Sequence, residues 1–345
     1  FNFTFLTIVI CCCCWGFVFF HGCVFFIILL SKDKKDISFL TNLPGASLRL
    51  KIFNADLYKP ESFDAPIQGC IGVFHVAHPM ELSGIQIDEK PIEAAVNGLL
   101  GILKACLKSK TVKRVVYTSS TAAVAWNEEP EDAILDENTW SDIDFIRTLK
   151  CYGGTYFISK NATEKAAFEF AENHGIDLVS VIPSLITGPF ICPSLPISIR
   201  YALCVVFGMH LFLLGRCPRD LVSYSDVVFL NDAGNENDYE FVVKTSMVHV
   251  DDLAHAHIHL FEYPQAKGRY ICSSHDVTIQ EIAEFLSAMY PEMRIPSPDA
   301  LKDAKAYMQK RVSSKKLVDT GFQFKNGLNE MFEGAVQCCK EKGFL

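Results

Sequence analysis

Charge is absent from the start of the chain. The first thirty residues, FNFTFLTIVICCCCWGFVFFHGCVFFIILL, hold no Asp, Glu, Lys or Arg, and the sequence then switches abruptly to SKDKKD. A surplus of positive charge is missing as well. Lys and Arg number 32 against 40 Asp and Glu, a formal net charge of -8, which excludes an extended nucleic-acid surface. Metal-ligand spacing is lacking: the nine cysteines beyond residue 30 form no CxxC pair and no paired Cys/His pattern. They read as buried thiols in a reducing compartment, not as disulfides or a zinc site. Past residue 31 there is no internal repeat and no low-complexity segment, so a solenoid is excluded too.

What is present is an alternation of short apolar runs with amphipathic helices, the pattern of βαβ units around a parallel sheet. The 345 residues suffice for one large α/β unit or two modest domains. Strands are expected at Leu48–Leu57, Cys70–Ala77, through KRVVYTSS ending at Ser120, and at Ile176–Pro183. Helices are expected at Glu89–Lys110, with acids early and lysines late as the helix dipole favours, and at Thr155–Asn173, closed by Gly175. Beyond Gly188 the order becomes irregular, with prolines at 189, 193 and 196. Ligands of such sheets sit at the carboxyl ends of the strands, and Asp56, His78, Ser120 and Pro183 all follow a strand.

The strongest chemical signal is YFISK, which sets Tyr156 and Lys160 four apart on one helix face. A free phenol, with a pKa near 10, is a poor proton donor at neutral pH; an adjacent ammonium stabilises its phenolate and brings it into range. Ser120, at a strand end, could hold a carbonyl oxygen beside them. Ser, Tyr and Lys together suit proton delivery during carbonyl reduction, with hydride supplied by a cofactor. YxxxK alone is common on helices, and without the flanking strand ends it would carry little.

The blocks DISFLTNLPGAS, FNADL, GILKACLKSKTVKRVVYTSS, LDENTWSD, MVHVDDLAHAHI, GRYICSS, KKLVDTGFQFK and AVQCCKEKGFL resemble the plant dihydroflavonol-reductase-like branch of the extended short-chain dehydrogenases, over roughly residues 33–345. The resemblance implies a doubly wound parallel Rossmann-type sheet with a smaller C-terminal substrate-binding region. Residues 32–190 would form the dinucleotide-binding part and residues 191–345 the substrate region, partly interleaved with it. It further implies NADPH as cofactor, a small phenolic ketone of the flavonoid or isoflavonoid type as substrate, and a cytoplasmic location. Ser120 would bind the carbonyl, Tyr156 would donate the proton, and Lys160 would bind the nicotinamide ribose while tuning the tyrosine. Asp56 and Leu57 would border the adenine; Val76, Ala77 and Pro79 would line the cofactor channel; Pro183 and Ser198 would flank the nicotinamide and phosphates. Read without the family, Asp56 is a turn or cap residue and Pro183 a strand terminator.

The sequence departs from that branch at several points. His78 stands where relatives carry a small hydroxyl residue, beside the cofactor path. Ala125 replaces the Asn with which dihydroflavonol reductases recognise substrate, which argues against a dihydroflavonol as the preferred ketone. GGTYFISK stands in place of the NWYCYGK of cinnamoyl-CoA reductases. Arg216–Thr245 looks like a lengthened surface loop. The largest departure is residues 1–31, where a strand, a G-x-x-G-x-x-G turn and a second strand are expected; only Gly16 and Gly22 occur there. The first reading of this leader is a misjoined or truncated N-terminus that leaves a gap in the middle of the sheet. The second is a membrane helix, since thirty apolar residues exceed the roughly 20 needed to span a bilayer. The third is a variant strand pair, with FTFLTIVI and CVFFIILL as the strands. Two functional readings follow: an NADPH-dependent ketone reductase, or a catalytically silent, membrane-tethered remnant without a phosphate loop. A membrane steroid dehydrogenase or sugar epimerase shares the triad but lacks the branch blocks.

Overall fold

The structure is a computed structural model. It describes the backbone of residues 6–11 and 24–29, and in full residues 37–79, 85–207, 242–304 and 310–345. Residues 12–23, between the two opening strands, and most of the expected 216–245 loop lie outside the described residues.

Seven parallel strands form the main sheet: β1 (Leu6–Cys11), β2 (Val24–Leu29), β3 (Leu50–Ala55), β4 (Gly72–His75), β5 (Arg114–Thr118), β7 (Leu178–Pro183) and β10 (Gly268–Cys272). Their order is β3-β2-β1-β4-β5-β7-β10, the doubly wound arrangement that reverses direction beside the first strand. This corrects two expectations for the leader. There is no gap in the sheet, because β1 pairs with β4 (Leu6 opposite Gly72, Val9 opposite His75) and β2 pairs with β3 (Val24 opposite Leu50). Nor are these stretches helical; runs rich in Val, Ile and Phe suit strands buried within a sheet. Among the described residues no helix is long and apolar enough to cross a membrane.

The sheet is covered on both faces, and period-two alternation decides which side chain goes where. On β4 and β5, Val73, Val115 and Tyr117 face a core made with α1 (Glu89–Ser109) and α3 (Gly154–His174). Phe74, Val116 and, on β7, Val179 and Val181 face the opposite core under α5 (Val250–Glu262). Both faces being buried explains why VVY and LVSVIP read as continuous apolar runs. A short helix α2 (Ile143–Leu149) precedes α3. The remaining described strands are β8 (Leu185–Thr187), β9 (Lys244–His249) and β11 (His275–Thr278) in a three-stranded sheet, and the pair β6 (Ile134–Leu135) and β12 (Arg311–Val312). With α4 (Ile197–Ala202), α6 (Ile279–Met289) and α7 (Leu328–Glu341), the three-stranded sheet builds a third core, while Leu135 and Val312 of the β6–β12 pair pack with Ile182 and Ile271 of the main sheet.

Two charged residues tie distant blocks together. Arg114 chelates Asp177 at 2.8 and 3.0 Å and donates to the carbonyls of Leu260 and Tyr263 at the C-terminal end of α5. Fully buried Asp252 accepts from the backbone N–H groups of Lys325 and Asn326, both at 3.0 Å, joining MVHVDDL to the TGFQFK segment.

Candidate active site

The carboxyl ends of β4, β5 and β7 open into a cleft of about 300 Å³. Ser120, Tyr156 and Lys160 all line it, together with Val76, Pro183 and Ser198. Local sequence explains how each arrives there. β5 ends at Thr118, and Ser120 caps the following turn, its Oγ accepting from Ala122 N at 3.2 Å. Gly153, in the left-handed region at φ +78°, starts α3, so Tyr156 falls in its first turn and Lys160 one turn later on the same face. Lys160 is 4 % exposed, and its Nζ donates to the Thr118 carbonyl at 3.0 Å. That bond fixes the ammonium between the helix and the strand end, 5.9 Å from the centre of the Tyr156 ring.

A second layer, not singled out from the sequence, lies beneath. Glu164, fully buried one turn after Lys160, accepts from Ser119 Oγ (2.7 Å), Ser180 Oγ (2.6 Å) and Arg269 (3.1 and 3.3 Å). Arg269 in turn donates to the carbonyls of Glu137 and Thr139 and stacks at 3.6 Å on Trp140. Ser119 immediately precedes Ser120, so this network ties three strands and the wall of the cleft to the tyrosine helix. The sequence signal available was the stripe Tyr156, Lys160, Glu164 at four-residue spacing.

Two imidazoles stand close by. His75 is driven down to about 3 by burial and by Lys160, and stacks on Tyr117. His78 lines the cleft and is held well below its ordinary value by burial, then by Lys160 and His75. Much of the lining is apolar and aromatic: Trp126 stacks on Phe157 at 4.2 Å, and Ala125, Ile186 and Tyr201 line the cleft as well. Lys310, described at the far rim, is pushed below the usual lysine range by burial.

Other expected cofactor residues lie elsewhere. Asp56 sits past the end of β3, where its Oδ1 accepts from Tyr58 N at 2.9 Å, the turn role that residue chemistry alone suggests. Leu57 and Ala77 are buried in the core under α1. Pro79 is half-buried beyond β4, just before the undescribed residues 80–84.

The residues near Lys160 fit a nicotinamide. Val76 and Pro183 offer apolar walls at the sheet edge, and the buried Ser184 Oγ, also at the cleft, has no hydrogen-bond partner among the described residues.

A doubly wound parallel sheet whose carboxyl edge gathers a serine, a tyrosine and a lysine four residues further on defines an extended short-chain dehydrogenase/reductase. Comparison with known proteins agrees: the chain belongs to the NAD dependent epimerase/dehydratase family, whose profile matches residues 23–239. It is 46% identical to vestitone reductase of Medicago sativa over 90% of this chain and 87% of that protein. It is 43% identical to dihydroflavonol 4-reductase of Arabidopsis thaliana, over 90% of this chain and 74% of that one. The crystal structure of alfalfa vestitone reductase superposes with a TM-score of 0.80, at 41% identity and 99% coverage of both chains.

Proposed function

We propose that the protein is an NADPH-dependent reductase of a ketone on a flavonoid- or isoflavonoid-type substrate, acting through Ser120, Tyr156 and Lys160. The observation that carries this reading is the meeting of those three side chains in one cleft at the carboxyl edge of the sheet, with Lys160 locked to the Thr118 carbonyl. The names of the similar proteins, vestitone reductase and dihydroflavonol 4-reductase, support the substrate class.

When bound, the reduced nicotinamide supplies a hydride to the carbonyl carbon. Ser120 donates a hydrogen bond to the carbonyl oxygen and orients it. Tyr156 gives that oxygen its proton as negative charge develops there. The buried Lys160 ammonium stabilises the phenolate left behind, more strongly than it would in water because the site is of low dielectric. Val76 and Pro183 would hold the nicotinamide face, and Lys160 its ribose. The Trp126–Phe157 stack presents a flat aromatic wall suited to a phenolic ring.

The test is incubation of the full chain with NADPH and a panel of isoflavanone and dihydroflavonol ketones, with product analysis. The expected result is conversion of at least one ketone to its alcohol. Tight ketone binding with no alcohol formed under any condition would favour the catalytically silent reading.

A further inference from the structure

We propose that His78 is a positioning residue for Tyr156: its imidazole, tethered to Ser159 on the tyrosine's own helix, walls the phenol ring and fixes where the hydroxyl meets a carbonyl. This inference rests on the Ser-Tyr-Lys reading of the cleft. His78 is 5 % exposed and stands at the cleft in the segment leaving β4. Its Nε2 lies 3.0 Å from Ser159 Oγ, and Ser159 is itself buried. Ser159 follows Tyr156 by three positions, so the tether and the phenol rise from one face of α3. The imidazole meets the Tyr156 ring edge-on, with centroids 5.7 Å apart and planes at 85°. The tyrosine ring also meets Phe157, at 6.0 Å and 69°, which is in turn stacked on Trp126. Phe157 belongs to the tyrosine's own helix, whereas His78 reaches the ring from the sheet.

A serine or threonine at position 78 would be too short to reach Ser159 from this backbone or to wall the tyrosine ring. The imidazole does both. The titratable groups around it are Lys160 on α3, His75 on β4 and Tyr156 itself. His78 stays neutral among them, so it contributes shape and a hydrogen bond without opposing the field of Lys160.

Three variants separate the two features. His78→Ala removes both, His78→Phe keeps a ring without the tether, and His78→Gln keeps a polar reach without the ring. With NADPH saturating and a phenolic ketone as substrate, His78→Ala is expected to lower kcat about 10- to 100-fold, as small misplacements of a reacting group do, with KM changed less than about threefold. His78→Phe should recover most of the loss and His78→Gln little of it. A second readout needs no turnover. The ionisation of Tyr156, taken as the phenolate absorbance difference against Tyr156→Phe in the same background, should shift in His78→Ala, as a ring freed of its wall changes its distance from Lys160.

Unchanged kcat together with an unchanged Tyr156 ionisation in His78→Ala would overturn the inference. So would a loss confined to KM or to NADPH affinity, which would make His78 a cofactor contact. If Tyr156→Phe turned over as fast as the parent, the Ser-Tyr-Lys reading would fall. The phenolate titration would still decide whether His78 holds the ring.

Discussion

Glu164 shows how much of the cleft's architecture rests on a residue that does not line it. Its carboxylate is fully buried and takes four hydrogen bonds, two of them from Arg269. Replacing it by Gln leaves the guanidinium buried without its counter-charge. Breaking a buried pair on one side costs about 3–5 kcal/mol, so Glu164→Gln should lower the thermal midpoint by several degrees, as read by calorimetry. Replacing both partners by apolar residues of similar volume should restore much of that stability, whereas a double variant no more stable than Glu164→Gln would argue against the account. Tyr156 and Lys160 were readable from sequence because both lie on one helix at a fixed spacing. Glu164 lies on the same stripe, yet its partners come from β5, β7 and β10, whose neighbourhood no local pattern encodes. His78 was readable as a departure but not as a wall of the tyrosine ring, for the same reason.

At the scale of elements, the helices carried their own boundary signals. Asp88 caps α1 by accepting from Lys90 N, and Lys110 leaves it at φ +58°. Gly175, at φ +69°, closes α3 as expected, the helix running to His174, one residue past Asn173. Gly153 at the other end of α3 is the more consequential glycine, since it both turns the chain at φ +78° and lines the cleft. An alanine there must hold the left-handed conformation, at a cost of about 1–2 kcal/mol. Gly153→Ala is therefore expected to lower stability by that amount in denaturant titration and to reduce turnover, because the first turn of α3 carries Tyr156. A variant as stable and active as the parent would contradict this role. Strand ends were harder to read. The run from Leu48 begins two residues late as β3, because Ala46–Arg49 forms a helical turn and Leu48 is 83 % exposed. Apolar character alone did not say which side chains would be buried.

For the whole molecule, the alternation of buried strands and amphipathic helices sufficed to read a parallel α/β sheet, and the branch-specific blocks supplied its winding. In the leader the expected gap is filled and the third reading holds, with strands inside FTFLTIVI and CVFFIILL where a membrane helix was the second reading; apolar runs without charge give no periodicity to separate strand from helix. What settles their place is partnership: β3 and β4 both need a parallel neighbour, and β2 and β1 supply it. The blocks that looked like isolated signatures prove to be contact partners. Arg269 of GRYICSS grips LDENTWSD, and Asp252 of MVHVDDL holds the segment after KKLVDTG. The third core brings α4 and its Ser198 to the cleft, whose walls are drawn from segments between Val76 and Val312.

The central claim is that the Tyr156 hydroxyl delivers the proton that completes ketone reduction. It is tested most directly by comparing the full chain with its Tyr156→Phe variant at saturating NADPH, following ketone-dependent NADPH consumption alongside ketone binding. Loss of a positioned proton donor is expected to slow turnover by about 100- to 10,000-fold, with ketone affinity nearly unchanged. Turnover by Tyr156→Phe at the parental rate would contradict the account.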